Sequence, residues 1–269
     1  MDFITFNSST PSNAIDLSAA SHAPLLSYSD ALYWWAAYPF VVFELVFFGL
    51  STLFALFDFY LLPATLTTAK LQPNRLPTQS QAAIAAYKQA ALTSLFNHCF
   101  GSVPSLIVFA LLARQLRLPR SFHAVSWPVL VYQVGVLLLV EEVLFYYTHR
   151  LLHHPLLFRA IHSVHHSYTA PVAIAATHCH LVEHVASNLL PMLAGVLLAH
   201  ANWWLYMGWC GLAVVNTVCV HSGYGWWPLM AANHDRHHST NKCAFGALGV
   251  LDWLHGTRYQ DLTAGKRVD

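Results

Sequence analysis

The sequence predicts an all-α integral membrane protein, and three observations support this prediction. The 269 residues are 56% hydrophobic and only 9% charged, whereas soluble domains carry about 25% charged residues. Several uncharged runs are long enough for a helix to cross a hydrocarbon core, which takes about 20 residues. Of the 18 histidines, most lie between His149 and His255, so we expect the chemistry to reside in that half of the chain.

The charge and the cysteine content exclude two other classes of protein. Lys and Arg number 13 against 12 Asp and Glu, and no basic block is present, so we expect no nucleic-acid partner. The five cysteines are scattered and form no CxxC pair. This pattern disfavours both a disulfide framework and a thiolate zinc site.

The N-terminal part of the chain is expected to form a tail followed by membrane helices. Residues 1–30 are rich in Ser, Thr, Asn and Asp and predict a flexible tail, and residues 31–123 predict the first membrane helices with a connecting loop. Ala31–Phe57 carries Glu44 as its only charge and is long enough to span the membrane. Thr67–Gln89 is polar and predicts the loop, and its basic residues favour the cytosolic side.

The second apolar run, Ala91–Ala113, is ambiguous. It is interrupted by Asn97, His98, Gly101 and Pro104. A helix here could span the membrane, bend within it, or dip in and return.

Residues 124–258 are expected to form one histidine-rich domain, followed by a C-terminal tail at residues 259–269. Ala124–Val140 predicts a membrane helix that continues to His149 and delivers the first histidines to a membrane surface. Val185–Val220 is uncharged and too long for one span, so it predicts a hairpin of two short helices. A hairpin would place both of its ends on the same face, as a site shared by histidines from both ends requires.

Three histidine clusters have helical spacing. They are His149-Arg-Leu-Leu-His153, His162-Ser-Val-His165-His166 and His234-Asp-Arg-His237-His238. Residues i, i+3 and i+4 share one helix face, so each cluster can direct its imidazoles toward one point. Several converging imidazoles are best explained by a metal, although a single histidine on an apolar face is more often a core or interfacial residue.

The number of histidines points to two metal ions. A structural zinc takes four ligands, often thiolates, and the clusters alone exceed that number by twofold. His180 and His221 are the preferred additional ligands, and His154, His178, His184 and His255 are weaker candidates. Glu141 lies on the same helix face as His149, where it could orient a ligand or move a proton, and it is the candidate catalytic residue.

The chain resembles the fatty acid hydroxylase superfamily, whose members include sterol C4-methyl oxidases, sterol C5-desaturases and sphingoid-base hydroxylases. The resemblance rests on the three clusters together with HLVE at His180, HSGY at His221 and LGVLDWLHGT at Leu248. It covers residues 140–258 and is closest to a sterol-oxidase-like branch. One departure is Leu181, because sterol oxidases usually have Pro at that position.

The resemblance implies an enzyme of the endoplasmic reticulum membrane with a helical membrane base and a cytosol-facing, histidine-rich helical cap. It implies two iron ions, O2 as co-substrate, and electrons from NAD(P)H passed through cytochrome b5 and its reductase. The implied metal ligands are His149, His153, His162, His165, His166, His180, His221, His234, His237 and His238.

The leading hypothesis is therefore a lipid monooxygenase, with hydroxylation of a 4-methyl sterol as the first candidate reaction. A hydroxylase or desaturase of a sphingolipid or acyl chain is the second candidate. The rival from another class is a metal-binding and sterol-binding membrane protein without catalysis, but the presence of all eight cluster histidines argues against a degenerate site.

Overall fold

The computed structural model describes residues 25–60, 69–75, 80–120, 125–226 and 228–260. Within these ranges the chain is helical and contains no strand, only one isolated β-bridge. Five helices are long and apolar enough to cross a membrane: α1 (Tyr28–Phe59), α2 (Gln81–Gln115), α3 (Trp127–Leu152), α4 (Leu181–Leu198) and α5 (Trp203–His221). The prediction of an all-α integral membrane protein is confirmed.

Shorter helical elements form a cap at one end of these five helices. The longer ones are α6 (Pro228–Thr240) and α7 (Val250–His255). Single turns at Phe158–His162, His165–Ser167 and Ala173–Thr177 connect α3 to α4. The cap contains most of the clustered histidines, and we call this side of the molecule the histidine end.

The first span is confirmed, with an earlier start than expected. The Ser27 side chain accepts a hydrogen bond from the Asp30 backbone N–H at 3.0 Å, so the helix begins at Tyr28 rather than Ala31. Most of the predicted N-terminal tail and of the predicted C-terminal tail lies outside the described residues.

The predicted loop over Thr67–Gln89 is wrong from Gln81 onward. Ser80 caps α2 by accepting a hydrogen bond from Ala83 N–H at 3.1 Å, and the alanine-rich stretch that follows favours helix. A π-helical turn at His98–Ser102 contains His98 and Gly101, two of the residues that interrupt the apolar run, and the helix continues through it. Helix α2 is therefore continuous and long enough to span, which argues against a segment that dips in and returns.

The predicted hairpin is confirmed. Helices α4 and α5 are joined by a short turn in which Asn202 caps α5 by accepting a hydrogen bond from Leu205 N–H at 2.9 Å. The turn lies at the end of the molecule opposite the histidine end. There His200 donates a hydrogen bond to the Leu116 carbonyl at 3.0 Å. The start of α4 and the end of α5 consequently both lie at the histidine end.

The core of the bundle is aromatic. Trp35 and Tyr206 are fully buried, with ring centroids 5.5 Å apart, and Phe109 lies 4.9 Å from Tyr206. Their large apolar surfaces, contributed by α1, α2 and α5, stabilise the helix packing through offset and edge-on ring contacts.

Polar contacts from α2 anchor the cap segment at Ala173–Thr177. Ser94 donates to the Ile174 carbonyl at 2.8 Å, and Asn97 donates to the Thr177 carbonyl at 2.9 Å. His98 lies between Glu44 at 2.7 Å and the Thr177 hydroxyl at 3.1 Å. These buried bonds hold the cap in a defined position above the bundle.

Gly101 on α2 packs tightly against side chains of α4. A Cβ at this position would lie 2.7 Å from His184 Cδ2, so Gly101→Ala should displace the His184 ring and its 2.9 Å hydrogen bond with Ser102. We expect a loss of about 1–3 kcal/mol of stability, measured as thermal unfolding in detergent. Gly208→Ala is the matched control, because nothing lies within 4 Å of its Cβ; equal stability of the two variants would contradict the prediction.

Candidate metal centre

Nine of the ten histidines predicted as ligands assemble into two groups. The first, the five-histidine group, contains His149, His153, His162, His166 and His237. The second, the four-histidine group, contains His165, His221, His234 and His238. Within each group, one ring nitrogen of every member lies within 4.8 Å of those of all the others.

Each group draws on several elements of the chain. Helix α3 ends at the histidine end and contributes His149, with His153 one turn later as its C-cap residue. Helix α6 contributes His237 to one group and His238 to the other, because neighbouring helical positions point in different directions. His221 is the last residue of α5, so the hairpin return is required to complete the four-histidine group.

The ring nitrogens face one another in a way that suits a bound cation. His221 Nδ1–H donates to the Thr217 carbonyl at 2.8 Å and His165 Nδ1–H donates to the His178 carbonyl at 3.2 Å. A neutral imidazole has one N–H, so both Nε2 atoms carry bare lone pairs. These Nε2 atoms lie only 3.4 Å apart, and a metal ion bound between them would convert the repulsion into coordination. The donor set therefore fits a metal.

The five-histidine group has the same design. His149 Nδ1–H donates to the Phe245 carbonyl at 2.9 Å, and His237 Nδ1–H donates to the Cys243 carbonyl at 2.7 Å. His162 Nδ1 lies 2.9 Å from Glu183 Oε2, and both side chains are almost fully buried. The two hydrogen bonds to carbonyls fix the tautomers of His149 and His237, and outer bonds of this kind raise the basicity of a ligating histidine.

Burial keeps the cap histidines in the neutral form that binds metal. Burial lowers the pKa of His153 to about 3, with the neighbouring His149 as a second cause. Burial, followed by the other imidazoles nearby, also lowers the pKa values of His162, His165, His166, His234, His237 and His238. The lone pairs of these rings are therefore available at neutral pH.

Two carboxylates that the sequence interpretation did not select hold the loop behind the five-histidine group. Glu142 accepts hydrogen bonds from the backbone N–H groups of Leu248 and Leu251, both at 2.7 Å. Asp252 accepts from the N–H groups of Phe245 and Gly246 at 2.9 and 2.8 Å. The Phe245 carbonyl then orients His149. The signal for Glu142 was its position next to Glu141, but only the fold shows which of the two faces the loop.

The remaining candidates lie outside both groups. His180 is exposed, and its Nδ1 accepts a hydrogen bond from Val182 N–H at 3.2 Å. His178 contributes its carbonyl to His165 rather than its ring, and His184 packs on His98. His154 is exposed, and His255 bonds Tyr147 at 3.0 Å.

Glu141 is also separate from the histidine groups. It lies two helical turns before His149 on α3, about 12 Å along the helix axis toward the membrane interior. Its Oε2 is buried and accepts no hydrogen bond from the part of the chain that the structure describes.

A family model described as fatty acid hydroxylase matches residues 134–257. Fatty acid hydroxylase domain-containing protein 2 of Homo sapiens is 38% identical over 174 residues, which cover 63% of this chain and 51% of that protein. A fatty acid hydroxylase of Mycosarcoma maydis is 37% identical over 209 residues, covering 76% of this chain and 53% of the relative. Methylsterol monooxygenase 2-1 of Arabidopsis thaliana is 29% identical over 232 residues, covering 75% and 83%.

These similarities confirm the resemblance that the histidine clusters indicate. The chain spans about half the length of the first two relatives. No solved structure matches the chain.

Replacing Glu142 tests its role in holding the loop. In Glu142→Gln, one of the two backbone N–H groups loses its acceptor, so we expect a loss of about 1–3 kcal/mol in thermal unfolding measured in detergent. Glu141→Gln is the matched control for stability, since Glu141 Oε2 accepts no bond from the described residues. Wild-type stability of Glu142→Gln would show that the loop is held by other contacts.

Proposed function

We propose that the chain, whose residues 134–257 match the fatty acid hydroxylase family model, is a membrane-bound non-haem di-iron oxygenase acting on a lipid. The observation that carries the proposal is the pair of buried histidine groups at one end of five apolar helices. Two groups of five and four imidazoles match two metal ions better than one closed tetrahedral zinc site.

The metal is proposed to be iron, held by the nine grouped histidines. Soluble di-iron bundles rely on bridging glutamates, whereas both groups here consist of imidazoles alone. When bound, the iron ions would supply the reduction of O2 and the oxidation of an unactivated C–H bond. The ligand proposal rests on these nine residues and not on His180.

The protein's own contribution is placement and exclusion of water. The carbonyls of Phe245, Cys243 and His178 fix three imidazoles, and the Glu183 carboxylate lies against a fourth. The rings of His237 and His238 are almost fully buried. A site of this kind holds its ligands in one geometry without reorganisation.

The substrate is proposed to be a sterol, with hydroxylation of a 4-methyl sterol as the leading reaction. The support is the methylsterol monooxygenase relative, which aligns over most of its length. The fatty acid hydroxylase relative favours the second candidate, hydroxylation or desaturation of an acyl chain or sphingolipid. Both candidates are apolar molecules that a membrane enzyme meets in the bilayer.

The proposals for the redox partners and the location rest on the family resemblance, with additional support from basic residues for the orientation. We propose that electrons come from NAD(P)H through cytochrome b5 and its reductase. We also propose that the protein resides in the endoplasmic reticulum membrane with the histidine end in the cytosol. The basic residues Lys70 and Arg75, which precede α2, favour this orientation.

Loss of one ligand from either group should abolish lipid oxidation without releasing the protein from the membrane. His165→Ala removes a member of the four-histidine group and His237→Ala one of the five-histidine group. We expect bound iron, measured by mass spectrometry, to fall from about two ions per chain toward one in each variant. His154→Ala is the control, because His154 is exposed and outside both groups. Retained oxidation in both ligand variants would refute the di-metal proposal.

Glu141 is proposed to contact the substrate rather than the metals. Among the described residues its buried Oε2 has no hydrogen-bond partner, so a lipid hydroxyl that reached this oxygen could donate to it, and ionisable groups within membrane helices are usually functional. We expect Glu141→Gln to lower kcat/KM for lipid oxidation at least tenfold while iron content stays at the wild-type level. A parallel loss of iron would instead place Glu141 in support of the metal groups.

The experiment that tests the function directly combines metal analysis with lipid profiling of cells with and without the gene. About two irons per chain together with a methyl sterol that accumulates in the gene's absence would support the leading reaction. Accumulation of an unhydroxylated acyl or sphingoid lipid would select the second candidate. A single zinc or no metal, with unchanged lipids, would favour a non-catalytic binding protein.

A further inference from the structure

A short segment between α1 and α2 crosses the histidine end of the bundle. We call residues 69–75 the strap. Lys70 pairs with Tyr224 in the isolated antiparallel β-bridge. Leu71 N–H donates to the Gly223 carbonyl at 2.9 Å, and Gly225 N–H donates to the Ala69 carbonyl at 2.8 Å. The strap is therefore bonded to the residues that directly follow His221, a member of the four-histidine group.

A buried ion pair reinforces this attachment. Lys70 Nζ lies 2.7 Å from Asp58 Oδ1, at side-chain exposures of 5% and 0%. The same Nζ donates to the Ser222 carbonyl at 2.9 Å and lies 4.1 Å from the centre of the Tyr224 ring. The Tyr224 hydroxyl donates to Asp58 Oδ1 at 2.9 Å. Lys70 thus joins the end of α1 to the backbone immediately after His221.

A second strap residue reaches the next ligand. Gln72 donates to Asp235 Oδ1 at 2.9 Å and to the Thr169 carbonyl at 2.8 Å. Asp235 directly follows His234, another member of the four-histidine group. Two strap side chains therefore bond residues adjacent to two ligands of that group.

The five-histidine group is supported differently. The loop held by Glu142 and Asp252, together with Glu183, orients its members. Among the described residues, the strap makes no hydrogen bond with this loop or with Glu183. The hydrogen bonds that orient the five-histidine group therefore do not come from the strap, and the Lys70 contact lies on the His221 side alone.

We infer that the strap is a positioning element for the four-histidine group, in which Lys70 and Gln72 hold the backbone that carries His221 and His234. This inference rests on the proposed function, in which each group binds one metal ion. Removing the Lys70 contact with the Ser222 carbonyl should weaken metal binding by the four-histidine group. The metal affinity of the five-histidine group should stay unchanged.

The test uses a double variant that leaves no unpaired buried charge. Replacing Lys70 alone would leave the Asp58 carboxylate unpaired, which destabilises a protein for reasons unrelated to metal. Lys70→Met combined with Asp58→Asn removes both charges at similar volume and also removes the donor to the Ser222 carbonyl. The matched control is Arg75→Met, because Arg75 lies on the same strap but donates to Thr169 Oγ1, at 2.6 Å, and not to Ser222 or Asp235.

The measurement is titration of the metal-stripped, full-length protein with Co²⁺, followed by its visible absorption, with thermal unfolding of the stripped protein recorded in parallel. We expect wild type and Arg75→Met to bind two Co²⁺ ions. In the double variant, the affinity of one ion should fall at least tenfold, the usual scale for loss of an outer hydrogen bond, while the other affinity is unchanged. With one Co²⁺ ion bound, the visible spectrum of the double variant should match the spectrum of His221→Ala with one ion bound. It should differ from the spectrum of His237→Ala with one ion bound.

Three outcomes would overturn the inference. Wild-type affinity for both ions in the double variant would make Lys70 and Asp58 an ion pair without influence on the metals. A joint loss of both ions, accompanied by lower stability of the stripped protein, would assign the pair a purely structural role. Fewer than two Co²⁺ ions on the wild-type protein would refute the proposed function and this inference with it, so the two failures are distinguishable.

Discussion

The structure depends on one electrostatic constraint: nine imidazoles, seven of them buried and two half-buried, converge in two groups with their ring nitrogens close together. In an apolar membrane protein this arrangement is unfavourable without a bound cation in each group, because neighbouring lone pairs repel and burial removes them from solvent. The Nε2 atoms of His221 and His165 illustrate the constraint, since both Nδ1 atoms already donate to carbonyls. The surrounding architecture keeps these rings together and oriented.

The ends of the membrane helices bring the histidines to one side of the molecule. Helix α3 ends and α4 begins at the histidine end, and the hairpin returns α5 to the same side. The hairpin is closed far from the site by the turn at Asn202. The membrane base therefore determines where the site can form, although most of its ligands lie in the cap.

Oxygen atoms outside the ligand sets determine the orientation of the imidazoles. Carbonyls from a loop fixed by Glu142 and Asp252 direct two rings of the five-histidine group, and Glu183 lies against a third. The strap reaches the four-histidine group through Ser222 and Asp235. Lys70 acts on the His221 side of the four-histidine group, whereas the Gln72 contact reaches α6, which carries members of both groups.

The sequence by itself determined the membrane class, the hairpin and the eight histidines of the three clusters, because apolar length and the i, i+3, i+4 spacing are local properties. Tertiary structure decided what depends on contacts between distant segments. It divided the ligands into two groups, so that His237 and His238 serve different groups although they are neighbours in the chain. It also selected Glu142 over Glu141 as the support of the loop and left His180 exposed. The sequence interpretation missed the start of α2 at Gln81 because the polar residues typical of a loop and the alanines that favour a helix occur in the same stretch. The Ser80 cap shows where the helix begins.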